Sequence, residues 1–174
     1  STRPQALPPL RRVLIVGGGG REQALAWALS RNGTITTVWV APGNGGPEGQ
    51  AVDIAETDSD GLVAFCRQEN VDLVVVGPEA PLAAGVGDAL RSADIAVFGP
   101  DAAGAQLEAS KAWAKQLMQE AAVPTAGHWS VHSEDEALAV LQKVNRPLVV
   151  KADGLAAGKG VTVADTVTEA EAAI

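Results

Sequence analysis

Residues 13–20 read VLIVGGGG, an apolar run of four closed by four glycines, and no other stretch narrows the possible folds as far. A short apolar run bounded by glycine is the pattern of a strand buried on both faces of a parallel sheet. Residues 21–30, REQALAWALS, follow with Ala24, Leu25, Ala28 and Leu29 at helical spacing, and Asn32-Gly33 stops the helix. A glycine-rich turn between strand and helix leaves backbone N–H groups free at the positive end of the helix dipole. With Arg21 adding a positive charge, this turn suits a phosphate monoester; the alternative is a turn that only lets strand and helix pack closely. The dinucleotide fingerprint G-x-G-x-x-G is not met, because its third glycine falls on Glu22 or Gln23 when counted from Gly17 or Gly18. No carboxylate closes the second strand to hold a ribose; Ala41-Pro42 stands there.

The alternation continues along the chain. Residues 36–41 (TTVWVA) read as a strand, 42–47 (PGNGGP) as a loop, 59–69 as a helix and 71–76 (VDLVVV) as a strand. Residues 77–81 (GPEAP) form a loop, 83–92 a helix and 95–98 a strand. This β-α-β-α-β-α-β order predicts an α/β fold, a parallel Rossmann-like sheet with helices on both faces. In such sheets ligands bind outside the carboxyl ends of the strands, so loops 17–20, 42–47 and 77–81 should share one crevice. Glu79 in the third loop is either a receiver for a sugar hydroxyl or amine, or an ordinary turn carboxylate.

After Gly99-Pro100 the pattern changes. One long helix is expected over 105–122, carrying Lys111 and Lys115, then a short strand over 128–132 and a helix over 134–143. Residues 147–152 (PLVVKA) and 161–165 read as strands joined by the loop 153–160, DGLAAGKG. A last helix begins at residue 166, with Thr168 as its expected N-cap and Glu171 three residues on. The loop fails the P-loop pattern G-x-x-x-x-G-K-[ST], since Asp153 stands at the first glycine, Gly160 follows Lys159, and a strand comes next. It reads as a glycine-rich flap of the kind that folds over a triphosphate, or as a solvated hairpin. Lys151, after Leu148-Val149-Val150, is expected to be buried and therefore to need an anionic partner.

Composition removes other classes. A formal net charge of −8 argues against nucleic acid as partner, and one Cys among 174 residues argues against a disulfide framework or a multi-Cys metal site. The apolar runs are far short of the roughly 20 residues that span a bilayer, so a cytoplasmic protein is the expectation. Cys66 and the four tryptophans, Trp27, Trp39, Trp113 and Trp129, read as packing residues, and His128 and His132 as solvated side chains on one strand face. Residues 1–11 form an expected flexible leader, 12–104 the α/β domain, 105–124 a linking helix and 125–174 the start of a second domain. The uncapped stop at Ile174 suggests a piece of a longer chain.

Taken in order, VLIVGGGGREQALAWAL, VAPGN, LVVVGPEAPLAAGV, FGP, AQLEASKAWAK, VPTA and VVKADGLAAGKGV resemble the N-terminal part of the phosphoribosylamine–glycine ligase family, ATP-grasp enzymes of purine biosynthesis. The resemblance implies a pre-ATP-grasp domain followed by a truncated ATP-grasp subdomain. It implies ligation of glycine to 5-phosphoribosylamine through a glycyl phosphate, with ATP and Mg2+ (or Mn2+). Carried over by motif, Gly18, Gly19, Gly20, Arg21, Glu22, Asn44 and Glu79 would meet phosphoribosylamine. Lys111, Lys151, Asp153, Gly154, Leu155, Ala156, Ala157, Gly158, Lys159 and Gly160 would meet ATP. The metal carboxylates would lie in the absent C-terminal part, so this piece alone is expected to be inactive and the whole protein to be a monomer. Gln23 stands where the family motif has His, which keeps hydrogen bonding but removes titration near neutral pH. The alternative is a non-catalytic nucleotide- or phosphosugar-binding module.

Overall fold

A computed structural model describes residues 9–155 and 159–174. The chain divides into two compact units with the boundary between Ala105 and Gln106. In the first, β1 (Arg12–Gly17) lies at the centre of a five-stranded parallel sheet. It pairs on one side with β2 (Thr37–Pro42) and on the other with β4 (Leu73–Val76); the short β3 (Gln50–Ala51) and β5 (Val97–Phe98) form the edges. The sheet order β3-β2-β1-β4-β5 reverses direction at β1.

Successive side chains of a strand point to opposite faces, and both faces of β1 are covered. Leu14 and Val16 join Trp39, Leu62, Cys66, Val74 and Leu90 on one face. Ile15 joins Val38, Val40 and Ala26 on the other. Double-sided burial is what the unbroken apolar run required.

Helix α1 (Gly20–Ser30) follows the glycines and α2 (Ser59–Glu69) starts under the Asp58 cap, whose carboxylate accepts the Gly61 amide at 3.0 Å. The helix expected over 83–92 is instead two, α3 (Glu79–Ala83) and α4 (Val86–Ser92), divided at Gly85 with φ +87°. Glu79 therefore opens a helix rather than sitting in a loop. The last strand shrinks to Val97–Phe98.

The single helix expected over 105–122 is also broken. Helix α5 (Ala102–Ala109) ends before Ser110, which is extended and caps α6 (Lys111–Glu120) by accepting the Trp113 amide at 3.1 Å. Serine competes for backbone hydrogen bonds and favours caps over helix interiors, a signal that the apolar periodicity hid. Residues 123–132 form neither helix nor strand, so the expected strand over 128–132 and its shared histidine face are both absent.

The second unit continues with α7 (Glu134–Val144), the antiparallel pair β6 (Val149–Lys151) and β7 (Val161–Val163), and α8 (Val167–Ala173). Leu141, Ala164 and Ala170 form its small core with Leu148, Val150 and Val167 against them. The N-cap of α8 is Thr166, not Thr168: its hydroxyl accepts the Glu169 amide and the Glu169 carboxylate accepts the Asp165 amide. Thr166 and Glu169 have the same three-residue spacing as the pair expected, two positions earlier. Among the described residues, no helix is long and apolar enough to cross a membrane.

Candidate functional site

In the first unit the loops after β1, β2 and β4 meet at the carboxyl edge of the sheet. The Gly43 amide donates to the Gly17 carbonyl at 3.4 Å, and the Gly77 amide to the Val16 carbonyl at 3.0 Å. The approach is close enough to demand glycine. A Cβ on Gly17, where φ is +129°, would lie 2.7 Å from both Glu22 Cγ and Pro78 Cδ, and one on Gly18 would lie 2.8 Å from the Gly43 carbonyl oxygen.

Glu22 lies beneath this junction and is only 3% exposed. Its Oε2 accepts the Gly19 amide at 2.7 Å, half of a capping box in which the cap is a glycine. Its Oε1 has no hydrogen-bond partner, although Arg21 Nε stands 3.5 Å away as an ion-pair contact. Glu22 thus forms the floor of the crevice. Among the described residues nothing accepts the amides of Gly20, Arg21 and Glu22. These three donors open the 11-residue α1 and, with the dipole, favour an anion.

Arg21 and Glu79 face each other across the crevice, with guanidinium Nη1 and Nη2 each 3.4 Å from Oε1. Both are accessible to a ligand. Asn44 closes its loop by accepting the Gly46 amide at 2.9 Å and reaches the Gly19 carbonyl with Nδ2 at 3.4 Å. The structure therefore brings Gly18–Glu22, Asn44 and Glu79 to one place. Sequence reasoning missed the use of Gln23, whose Nε2 donates to the Glu48 carbonyl at 3.3 Å and whose amide packs against Gly46. It ties the Asn44 loop to α1.

In the second unit Lys151 is exposed, which overturns the expectation of a buried lysine. The β6–β7 pair is packed on one face only, by Val150 against Leu141 and Ala164, so Val149 and Lys151 alternate outward. The burial argument for a partner lapses. Lys151 instead lines a cleft of about 430 Å3 with His132, Glu134, Gly160 and Thr162. Lys111 Nζ donates to the Gly154 carbonyl at 2.8 Å, and Asp153 is bonded to the start of α6. Leu155, Lys159 and Gly160 are exposed, and the Ala152 amide closes the loop base on the Gly160 carbonyl at 2.8 Å. Ala156, Ala157 and Gly158 lie outside the described residues.

Cys66 is packed as expected, and burial pushes its thiol up to about 11. Trp39 is in the core, where it meets Phe65 edge-on. Trp27, Trp113 and Trp129 are exposed, against expectation, and Arg31 covers the Trp27 ring. Among the described residues no group of three or more His, Cys, Asp or Glu is placed to hold a metal ion.

This architecture is shared with the ATP-grasp class. An ATP-grasp RimK domain protein from Sphaerobacter thermophilus superposes with a TM-score of 0.59 at 19% identity, covering 92% of this chain and 56% of that one. The biotin carboxylase domain of Hydrogenobacter thermophilus 2-oxoglutarate carboxylase gives 0.70 at 17%, covering 94% of this chain and 39% of that one. Within that class the match is specific. Residues 11–108 match the family described as "Phosphoribosylglycinamide synthetase, N domain", and 109–174 match its "ATP-grasp (A) domain". The chain belongs to the phosphoribosylglycinamide synthetase family. It is 49% identical over 167 residues to the phosphoribosylamine–glycine ligase of Escherichia coli K12, and 48% over 165 residues to that of Rhizobium meliloti. Each alignment covers 94% of this chain and 39% of the relative, so the chain spans about two fifths of the length of the curated relatives it matches. The crystal structure of phosphoribosylamine–glycine ligase from Thermotoga maritima superposes with a TM-score of 0.72 at 31% identity, covering 92% of this chain and 38% of that one.

Proposed function

We propose that the chain supplies the phosphoribosylamine crevice and the first part of the ATP site of a phosphoribosylamine–glycine ligase acting in the cytoplasm as a monomer. The observation that carries this reading is the group of three unaccepted amides, Gly20 to Glu22, with the Arg21–Glu79 pair beside them. The amides and Arg21 suit the 5-phosphate. Glu79 suits the amine or a ribose hydroxyl, and Asn44 lies alongside. Neither partner needs a basic surface, which fits the acidic body of the protein.

In this reading ATP transfers its γ-phosphoryl group to the glycine carboxylate, leaving ADP and glycyl phosphate. The phosphoribosylamine nitrogen attacks the acyl carbon, the C–O bond to phosphate breaks, and glycinamide ribonucleotide and phosphate leave. Lys111, Lys151 and Lys159 supply positive charge to the triphosphate, offsetting charge that develops in transfer. The Mg2+ or Mn2+ that accompanies ATP would be held by residues of the longer relatives outside the matched stretch and would offset the triphosphate charge. The chain alone is accordingly inactive.

Ribose 5-phosphate is a stable stand-in for the sugar substrate. Titrating it while following the amide signals of Gly18–Glu22 should move those signals, and Arg21→Ala should weaken binding about tenfold or more, the scale of one charge-assisted contact. Signals that stay still, or an unchanged affinity in Arg21→Ala, would remove the crevice from the reaction.

A further inference from the structure

Asp153 is expected from its motif to meet ATP, yet both of its oxygens are already engaged within the second unit. Oδ1 accepts the amides of Lys111 at 2.6 Å and Ala112 at 3.3 Å, while Oδ2 accepts the Ser110 hydroxyl at 3.0 Å. Ser110 Oγ in turn accepts the Trp113 amide at 3.1 Å. The first three amides of α6 are therefore satisfied by side chains, two of them by a residue 41–42 positions away. No backbone donor of that turn remains for a phosphate. One residue on, the Gly154 carbonyl accepts Lys111 Nζ at 2.8 Å. Gly154 has φ +94°, so the chain turns at once after Asp153.

The two contacts run in opposite senses between the same two segments: an acidic side chain from the loop grips the helix backbone, and a basic side chain from the helix grips the loop backbone. We propose that Asp153 is a positioning residue which, with Lys111, latches the base of the 153–160 loop to the first turn of α6. The latch fixes where Lys111 presents its ammonium. A lysine has three N–H donors, so Lys111 keeps two for an anion while it holds the Gly154 carbonyl. This rests on the reading of the loop as part of the ATP site, but assigns Asp153 a role through Lys111 rather than a contact with the nucleotide. Slight desolvation pushes the exposed Asp153 carboxyl up, but the donors from Ala112, Ser110, Gly154 and Lys111 outweigh it and hold it below the usual carboxylate range. A carboxylate depressed in the folded state stabilises above its unfolded value and loses that contribution as pH falls through the folded one. The latch therefore weakens as pH falls through that lowered value.

The test is residue-resolved amide hydrogen exchange on the 174-residue chain, on Asp153→Ala and on Asp153→Asn, with and without millimolar ATP. In Asp153→Ala the Lys111 and Ala112 amides should exchange at least tenfold faster, while the Glu136 and Glu169 amides, capped elsewhere in the unit, should stay protected. Asp153→Asn, which keeps one carbonyl acceptor, should rescue part of the protection. In the wild type the Lys111 and Ala112 amide shifts should report one acid titration below the usual carboxylate range. Unchanged exchange at Lys111 and Ala112 in Asp153→Ala overturns the latch, whatever ATP does. If the exchange effect appears but ATP moves no signal at Lys111, Lys151 or Lys159 in a protein of the relatives' length that carries this segment, the ATP reading falls and the latch stands. If Glu136 and Glu169 lose protection as well, Asp153→Asn decides: no rescue at Lys111 overturns the proposal.

Discussion

The Glu22 carboxylate accepts the Gly19 amide at 2.7 Å from a position only 3% exposed, so an acid forms the floor of the crevice assigned to a phosphate. Its first duty is to hold the turn, because it occupies the space beside Gly17, Gly19 and Gly77 where any Cβ would collide. Glu22→Ala should cost about 1.5–3 kcal/mol of stability, the scale of losing a hydrogen bond to a charged acceptor, and urea unfolding will show it. Gly77→Ala, whose Cβ would lie 2.6 Å from Glu22 Cδ, should be comparably damaging, while Gly33→Ala, with nothing within 4 Å, should be near neutral. Equal stability for Gly77→Ala and Gly33→Ala would contradict this packing.

Arg21 stands between two acids, with Nε 3.5 Å from Glu22 Oε1 and Nη1 3.4 Å from Glu79 Oε1. A ligand carrying only phosphate must compete with Glu79 for Arg21, whereas one that also carries an amine gives Glu79 a new partner. Glu79→Gln should therefore tighten ribose 5-phosphate binding severalfold yet weaken turnover with phosphoribosylamine. Weaker binding of both would mean that Glu79 serves the phosphate end.

Gln23 holds the loop of Asn44 through the Glu48 carbonyl. Gln23→Ala should loosen that loop and weaken sugar-phosphate binding less than tenfold, the worth of one neutral hydrogen bond, without changing overall stability much. Gln23→His should retain binding but make it vary with pH around the ordinary histidine value of about 6.5. Titrations at pH 6 and pH 8 separate the two; wild-type binding that changes across that range through this loop would argue against the assignment.

Cys66 is buried in the main core, and its thiol is raised from the ordinary 9.0 to about 11. A disulfide reagent at neutral pH should label it only as fast as the core opens, and labelling should become immediate in denaturant. The sign for stability follows. The folded thiol holds its proton more tightly than the unfolded one, so its contribution is full below pH 9.0 and lost as pH rises towards about 11. Fast labelling of the native protein would show that the α2 face of the core is open.

The central sheet was legible because its signal is periodic and local: a strand buried on both faces must be apolar throughout, and a glycine turn must follow where loops meet at van der Waals distance. Ser110 was misread because Ala105, Ala109 and Ala112 keep a helical pattern straight through it, hiding its cap on the Trp113 amide three residues on. Lys151 was misread because sequence cannot say whether a β6–β7 hairpin is covered on one face or two. The use of Gln23 and the packing of Glu22 beside Gly77 depend on loops more than 20 residues distant, which no local spacing encodes.

The most direct test is ATP-dependent phosphate release, comparing the 174-residue chain with a protein of the relatives' length that carries this segment. The longer protein should release phosphate only when glycine and phosphoribosylamine are both present, should lose that activity in Arg21→Ala and Lys151→Ala, and the chain alone should release none. Release by the chain alone, or release that ignores phosphoribosylamine, would contradict the assignment of Arg21 to the sugar phosphate and of Lys151 to ATP.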